Sequence, residues 1–254
     1  MIVLDHLAIG TSGLADGWEL FSALLGGRWA YGGDSAGFWW GQLQFSAGPK
    51  IELITPTSGP DAAFLERFLS SRGPGPHHLN FIVPDIEVTL SRVKSLGIEP
   101  VQVRLVNSRW KEAFIHPRDA HGIVIQVAEQ SGPPPWRARP SELPQPGAPS
   151  AFAVIEHHVA DIVGATRLFQ EALDGEVVSQ VETTSHSAVE LAWPNDAKLR
   201  LVRSAPGAEG RGARSGGVIG RLHFTRDGSA LHAADLERLD AVSRGLGVSV
   251  LVTG

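Results

Sequence analysis

A chain of 254 residues, 43% hydrophobic and 19% charged, has an ordinary globular composition and is long enough for one large domain or two of common size. It contains no cysteine, which excludes disulfides, thiolate metal sites and cysteine nucleophiles. A formal charge of −5 gives no electrostatic footing for nucleic acid or an anionic membrane surface.

The first ten residues, MIVLDHLAIG, lack the basic segment and long apolar run of a secretory leader, and a cytoplasmic location is expected. Instead they alternate as a strand. Val3, Asp5, Leu7 and Ile9 fall on one face; Leu4, His6, Ala8 and Gly10 fall on the other. GLADGWELFSALLGG follows with apolar residues at helical spacing and a closing glycine pair. FWWGQLQFSA and KIELITP then read as strands. The same order recurs. HHLNFIV is a strand, and DIEVTLSRVKSLG is a helix with Asp85 as N-cap and Gly97 at its C-terminal end. EAFIHP and GIVIQVAE are strands again. His6 to Glu52 spans 46 positions and His78 to Gln126 spans 48, which is the pitch of an internal duplication.

EQSGPPPWRARPSELPQPGAPS breaks this periodicity and reads as an extended, semi-rigid connector. Beyond it the pattern returns in weaker form. AVIEHHVADI matches IVLDHLAIGT, ATRLFQEALDGEV matches the first helix, and KLRLVR aligns with KIELIT. GRLHFTRD, LHAADLERLDAVSRGLG and VSVLVTG make a shorter fourth copy that lacks a hairpin.

Paired strand–helix–strands modules, with a histidine on the first strand and polar residues on the last, resemble the vicinal oxygen chelate superfamily. That superfamily includes glyoxalase I, extradiol dioxygenases, bleomycin-resistance proteins and methylmalonyl-CoA epimerase. The stretches DHLAI, IELITP, FLERFLSSRGPGPHHLNF and FIHPRDAHGIVIQVAE are most similar to the epimerase, over residues 1 to about 130. The resemblance implies an α+β fold of paired βαβββ modules forming curved, cup-shaped mixed sheets. Two such domains share the chain, the last module being truncated. The expected boundaries are 1–130 for a metal-binding domain (modules about 1–57 and 75–130), 131–150 for the connector, and 151–254 for a degenerate second domain. The truncated module could be completed by a second copy of the chain, which points to a homodimer.

Carried onto this sequence, the family's four metal ligands are His6, Glu52, His78 and Gln126. The residues agree with that assignment in their own right, because all four interrupt otherwise apolar strands. Ile51 and Leu53 flank Glu52, and Ile125 and Val127 flank Gln126, so the polar side chains point away from the helix-covered face. A buried carboxylate is costly unless paired or coordinated. Two imidazoles, a carboxylate and an amide oxygen suit Zn, Mn, Co, Ni or Fe(II). By parity His78 faces the cup beside Asn80, whereas His77 shares its face with Leu79 and Phe81 and is structural. Asn80, Trp39, Trp40 and His121 are further candidates to meet a substrate. Each residue alone has a plainer explanation, such as a core hydrogen bond, an ion pair or packing. In the second half His157 aligns with His6, but Arg200 aligns with Glu52, and a cation there would repel a metal.

The resemblance implies an enzyme that polarises a carbonyl of a small oxo-acid or acyl thioester, as an isomerase or lyase, with Glu52 as ligand and base. The epimerase carries its carboxylate ligand in the second module and glutamine in the first; here the order is reversed. An epimerase also needs a second proton-handling group. In the segment where the family carries it, GGDSAGFWWGQ, Asp34 is the sole acid. Two alternatives stand beside this reading: a metal-independent small-molecule binding or resistance protein, and an Fe(II) dioxygenase of the extradiol type.

Overall fold

The computed structural model describes residues 1–132, 138–184, 186–204, 217–227 and 231–254. Four successive modules are present. The first comprises β1 (Val3–Gly10), α1 (Ala15–Trp18) running into a π-helical turn (Glu19–Leu24), β2 (Arg28–Asp34), β3 (Phe38–Gln44) and β4 (Lys50–Pro56). A further helix, α2 (Ala62–Arg72), follows. The second module is β5 (Gly75–Ile82), α3 (Ile86–Ser95), β6 (Val101–Arg104), β7 (Trp110–Ile115) and β8 (Val124–Gln130). The third is β9 (Ala151–His158), α4 (Ile162–Arg167) with a π-helical continuation (Leu168–Ala172), β10 (Glu176–Glu182), β11 (His186–Ala192) and β12 (Lys198–Ser204). Among the described residues the fourth comprises β13 (Val218–Thr225), α5 (Ala233–Gly245) and β14 (Val250–Thr253).

The fold is α+β with two mixed sheets. One has eight strands in the order β2-β3-β4-β1-β5-β8-β7-β6; the other has six, in the order β10-β11-β12-β9-β13-β14. In the first module β1 runs parallel to β4, while β2–β3 and β3–β4 are antiparallel. The second module repeats this as β5–β8 parallel and β7–β8 antiparallel. Contacts divide the chain into two compact units. One is Met1–Asp5, His78–Pro133 and Val154–Gly220; the other is His6–His77, Pro134–Ala153 and Arg221–Gly254. Among the described residues no helix is long and apolar enough to cross a membrane.

Local sequence explains the elements. Asp85 caps α3, its carboxylate accepting from the Val88 N–H at 3.0 Å, and Gly97 closes the helix end at φ 80°. The first helices of modules one and three both widen at their ends. Leu25 N–H reaches Leu20 O at 3.1 Å and Gly27 N–H reaches Phe21 O at 2.8 Å, with Gly175 N–H on Phe169 O at 2.9 Å in the copy. Phe21 and Phe169 are fully buried, so the widened turn drives the same aromatic into each core. On β1 and β4 the register pairs Leu7 with Ile51 and Ile9 with Leu53, all fully buried. Trp18 of α1 covers that face, edge-on to Trp39 at 6.0 Å.

The proline-rich connector lies partly outside the described residues, at 133–137. Its described remainder is docked. Gly147 N–H donates to Ser22 O at 3.0 Å, Ser22 Oγ to Pro144 O at 3.3 Å, and Ser150 Oγ to Leu25 O. The buried Arg226 guanidinium donates to Ala148 O at 3.0 Å and Leu24 O at 3.2 Å. Two glycines make this approach possible. A Cβ on Gly26, at φ 72°, would stand 2.2 Å from Ala148 O, and one on Gly147 would stand 2.1 Å from Ala23 O. Gly147→Val is therefore expected to lower unfolding free energy by about 1–3 kcal/mol through overpacking against backbone. Gly13→Ala, which meets nothing within 4 Å, should stay within about 0.5 kcal/mol of wild type. Urea denaturation of the three proteins checks both.

Candidate metal centre

Residues directly opposite on paired strands share a sheet face. In the first module the register lines up Tyr31, Gln42, Glu52 and Ala8 across β2, β3, β4 and β1. The neighbouring row pairs Lys50 with His6. On the other side of the central row stand Trp40, Ile54 and Gly10. This face is opposite to the one holding Leu7, Ile9, Ile51 and Leu53. One end of it is apolar and covered: Leu65 of α2 joins Ala8 and Ile54 in a buried cluster, with Phe38, Trp40, Phe64, Phe68 and Leu69 packed around it.

The middle of the face is polar and buried. Glu52 is 7% exposed, His6 3% and Gln42 3%. Gln42 Nε2 donates to Glu52 Oε2 at 2.8 Å and lies 3.2 Å from His6 Nδ1. Glu52 Oε2 stands 3.6 Å from His6 Nε2. One amide thus touches both polar groups and fixes their orientation.

The second module repeats the geometry. Asn80 pairs with Gln126 as Ala8 does with Glu52, and His78 lies two residues before Asn80 as His6 lies before Ala8. Asn80 Nδ2 donates to Gln126 Oε1 at 2.9 Å, and Gln126 Nε2 donates to Glu112 Oε2 at 2.8 Å. Glu112 also accepts from Trp110 Nε1 at 3.0 Å and pairs with Arg104 at 3.2 Å. Asn80 is fully buried and His78 nearly so.

One nitrogen or oxygen from each of His6, Glu52 and His78 comes together, all within 4.8 Å of one another. Donor atoms around a bound first-row ion lie about 3–4 Å apart, so a small contraction would close the set. Two imidazoles with one carboxylate suit such an ion. Two buried oxygens nearby in their own modules, Gln42 Oε1 and Asn80 Oδ1, have no hydrogen-bond partner among the described residues, which fits a face built to receive a polar guest. Gln126 enters through the amide chain from Asn80 to Glu112.

The other sequence candidates are placed as follows. Trp40 shares the face of Gln42 and packs edge-on to Tyr31 at 5.9 Å. Trp39 is on the opposite, α1-covered face, stacked on Trp29 at 6.1 Å. His121 sits at φ 56° in the turn before β8. Burial holds its pKa below the usual histidine value, against the opposing Asp161 carboxylate and the Gly164 backbone. His77 packs edge-on to Phe68 at 4.8 Å and Phe64 at 5.5 Å, and burial, with Arg72 adding to it, lowers its pKa to about 4.

Sequence reading missed Gln42 and Glu112. Both stand on the hairpin strands, where an alternating polar residue looks the same whether it faces solvent or a buried site. The only signal was parity with Glu52 and Gln126. Register also corrects one alignment. Glu156, not His157, stands opposite Arg200, so Glu156 matches Ala8 and His157 falls at the position of Ile9. The copy replaces the Gln42–Glu52 pair by Glu190 opposite Arg200, joined at 2.7 and 3.0 Å.

His157 is fully buried. Its Nε2–H donates to His121 O at 2.9 Å, and its Nδ1 has no partner among the described residues. Desolvation lowers its pKa from 6.5 to about 4, outweighing the backbone hydrogen bond.

Comparison with known proteins follows this geometry. Residues 5–144 match the family described as the Glyoxalase/Bleomycin resistance protein/Dioxygenase superfamily. The uncharacterized protein YqjC of Bacillus subtilis (strain 168) is 26% identical over 132 residues, 51% of this chain and 93% of that protein. A triple mutant of 4-hydroxymandelate synthase from Streptomyces coelicolor superposes with a TM-score of 0.64 at 13% identity, over 96% of this chain and 76% of that one; the likeness is one of fold. Methylmalonyl-CoA epimerase from Mycobacterium tuberculosis is 26% identical, with a TM-score of 0.45, over 51% of this chain and 88% of its own.

The buried His157 generates a pH prediction. Its folded pKa lies below the unfolded one, so the unfolded chain binds the extra proton between pH 6.5 and about 4. Stability from this residue is complete above pH 6.5 and falls by about 1.4 kcal/mol per pH unit as the solution is acidified through that window. Denaturation of wild type and His157→Phe at pH 7 and pH 5 should show a smaller acid loss in the variant.

Proposed function

The chain belongs to the glyoxalase/bleomycin resistance/dioxygenase superfamily, and from that premise we propose that it is a divalent-metal-dependent enzyme acting on a carbonyl of a small oxo-acid or acyl thioester, as an isomerase or lyase of the epimerase type. The observation that carries this reading is the convergence of His6, Glu52 and His78. These three would hold the ion, with the Gln126 amide oxygen as the fourth ligand. The ion would supply Lewis-acid polarisation of a substrate oxygen. The chain's own groups do the rest. Gln42 holds one Glu52 oxygen and steadies the carboxylate beside the reacting carbon, where it moves a proton. Glu112 binds the nitrogen end of Gln126 and so turns its oxygen away from itself.

A second reading has one observation in its favour. Two histidines with one carboxylate are the ligand set of non-haem Fe(II) oxygenases. Oxygen uptake with a catechol by the Fe(II)-loaded protein distinguishes it.

Titration of metal-free protein with Mn²⁺ or Zn²⁺ tests the main reading. One ion per chain is expected to bind and to raise Tm by mass action. Glu52→Gln and His78→Ala should each weaken binding by about 100-fold or more at the ligand level. Loaded wild type, given methylmalonyl-CoA or a 2-oxo acid in D₂O, should wash deuterium into the carbon next to the carbonyl, and Glu52→Gln should not. Absence of metal uptake by wild type would refute the proposal.

A further inference from the structure

In the second module a buried amide is oriented by a carboxylate that it does not touch. The chain of contacts starts near the surface, where the largely exposed Arg104 pairs with Glu112 Oε1 at 3.2 Å. Glu112 Oε2 accepts from Trp110 Nε1 at 3.0 Å and from Gln126 Nε2 at 2.8 Å. A carboxylate beside a guanidinium offers acceptors only, so it takes the nitrogen end of the Gln126 amide. Gln126 Oε1 is then turned to Asn80 and can only accept, and Asn80 Nδ2 donates to it at 2.9 Å. What remains at the end of the chain is Asn80 Oδ1. The charge of the first member thus sets the polarity of the last atom.

That atom is an oxygen in need of a donor. Asn80 is fully buried, stands on β5 two residues from His78 on the same sheet face, and has Gln126 as its register partner. Asn80 Oδ1 has no hydrogen-bond partner among the described residues. A buried carbonyl left unmet costs free energy. The amide cannot turn over to relieve that cost, because the reversed form would set Asn80 Oδ1 against Gln126 Oε1. The first module reaches the same polarity by its own route. Gln42 Nε2 is held by Glu52 Oε2 at 2.8 Å, and Gln42 Oε1 likewise has no partner among the described residues. The fold does not require an amide at the position of Asn80, since the first module has Ala8 there.

We propose that Asn80 is a specificity-determining residue whose Oδ1 accepts a hydrogen bond from the bound ligand. The ligand it selects presents an N–H or O–H beside the oxygens that reach the metal. Glu112 and Gln126 are positioning residues that keep Asn80 turned as an acceptor. The proposal rests on the metal reading above, and the test separates the two.

The test uses the full chain and two small chelators, acetohydroxamate and N-methylacetohydroxamate. Both bind a metal through the same two oxygens, and only the first has an N–H. Mn²⁺ uptake is measured first by isothermal titration, then the affinity of each hydroxamate for the Mn²⁺-saturated protein, taken relative to its affinity for Mn²⁺ in solution. Wild type is expected to prefer the N–H compound by about tenfold or more. Asn80→Leu keeps the size of the side chain and removes the acceptor, so the preference should vanish, whereas exclusion of the methyl group by shape alone would preserve it. Glu112→Gln leaves Asn80 in place but lets the Gln126 and Asn80 amides turn over, and the preference should fall there too. If wild type does not discriminate, or if both variants keep its ratio, the assignment of Asn80 is overturned and the metal centre stands. Loss of preference in Asn80→Leu but not in Glu112→Gln overturns the positioning role of Glu112. If wild type takes up no Mn²⁺, the metal reading itself fails, and this inference with it.

Discussion

A carboxylate in the middle of a sheet, almost out of reach of water, is the constraint around which the first module is organised. Glu52 can remain there only if its charge is met. The amide of Gln42 meets part of it, at 2.8 Å. His6 stands near enough to share a cation with it, and His78 joins the same cluster. The surrounding apolar rows, Leu7 with Ile51 and Ile9 with Leu53 on one face and the α2 cluster on the other, hold the polar groups in register and keep solvent from competing. The burial that makes the carboxylate costly is thus what requires its charge to be met from within the cluster.

The third module meets the same constraint in a different way. At the register position of Glu52 it has Arg200, and at that of Gln42 it has Glu190. The pair neutralises itself through two short contacts. Both solutions occupy the same strands, with the same widened helix behind them and the same buried aromatic, Phe21 or Phe169, at its end. The two modules share one backbone architecture while the central row differs, a Gln42–Glu52 contact in the first and a self-neutralising Glu190–Arg200 pair in the third. Folding and site chemistry are therefore separable in this module: the hydrophobic rows specify the fold, and the polar row specifies the use.

How much of this was legible in the sequence follows from the physics of each signal. The module order and the duplication were legible because strand parity and helical spacing are local, and Asp85 and Gly97 mark a helix by their own side-chain and backbone chemistry. His6, Glu52 and His78 were legible because each interrupts a doubly apolar strand. Gln42 and Glu112 were not, since a polar residue on a hairpin strand carries no sign of which face is buried. His157 shows a subtler limit. The matching letters of DHLA and EHHV pull it onto His6, while the hydrogen-bond register moves it by three positions to the helix side, where burial rather than ligation explains it. The docking of the connector escaped for a similar reason, because Gly26 and Gly147 declare their close approach only when the opposing carbonyls are known. The helix α2 gave little warning either, its apolar residues serving the sheet face and not a regular stripe.

The Arg200–Glu190 pair also bears on how such a chain can change over time. Like charges placed directly opposite on neighbouring strands destabilise a sheet. Replacing Arg200 alone by glutamate would set two carboxylates against each other, and replacing Glu190 alone by glutamine would leave the guanidinium without its counter-charge. Every single step back toward the arrangement of the first module passes through a less stable intermediate. The ion pair thus couples the two positions, so that a change at one is best tolerated together with a change at the other, while the apolar rows beneath them are indifferent to which pair fills the place.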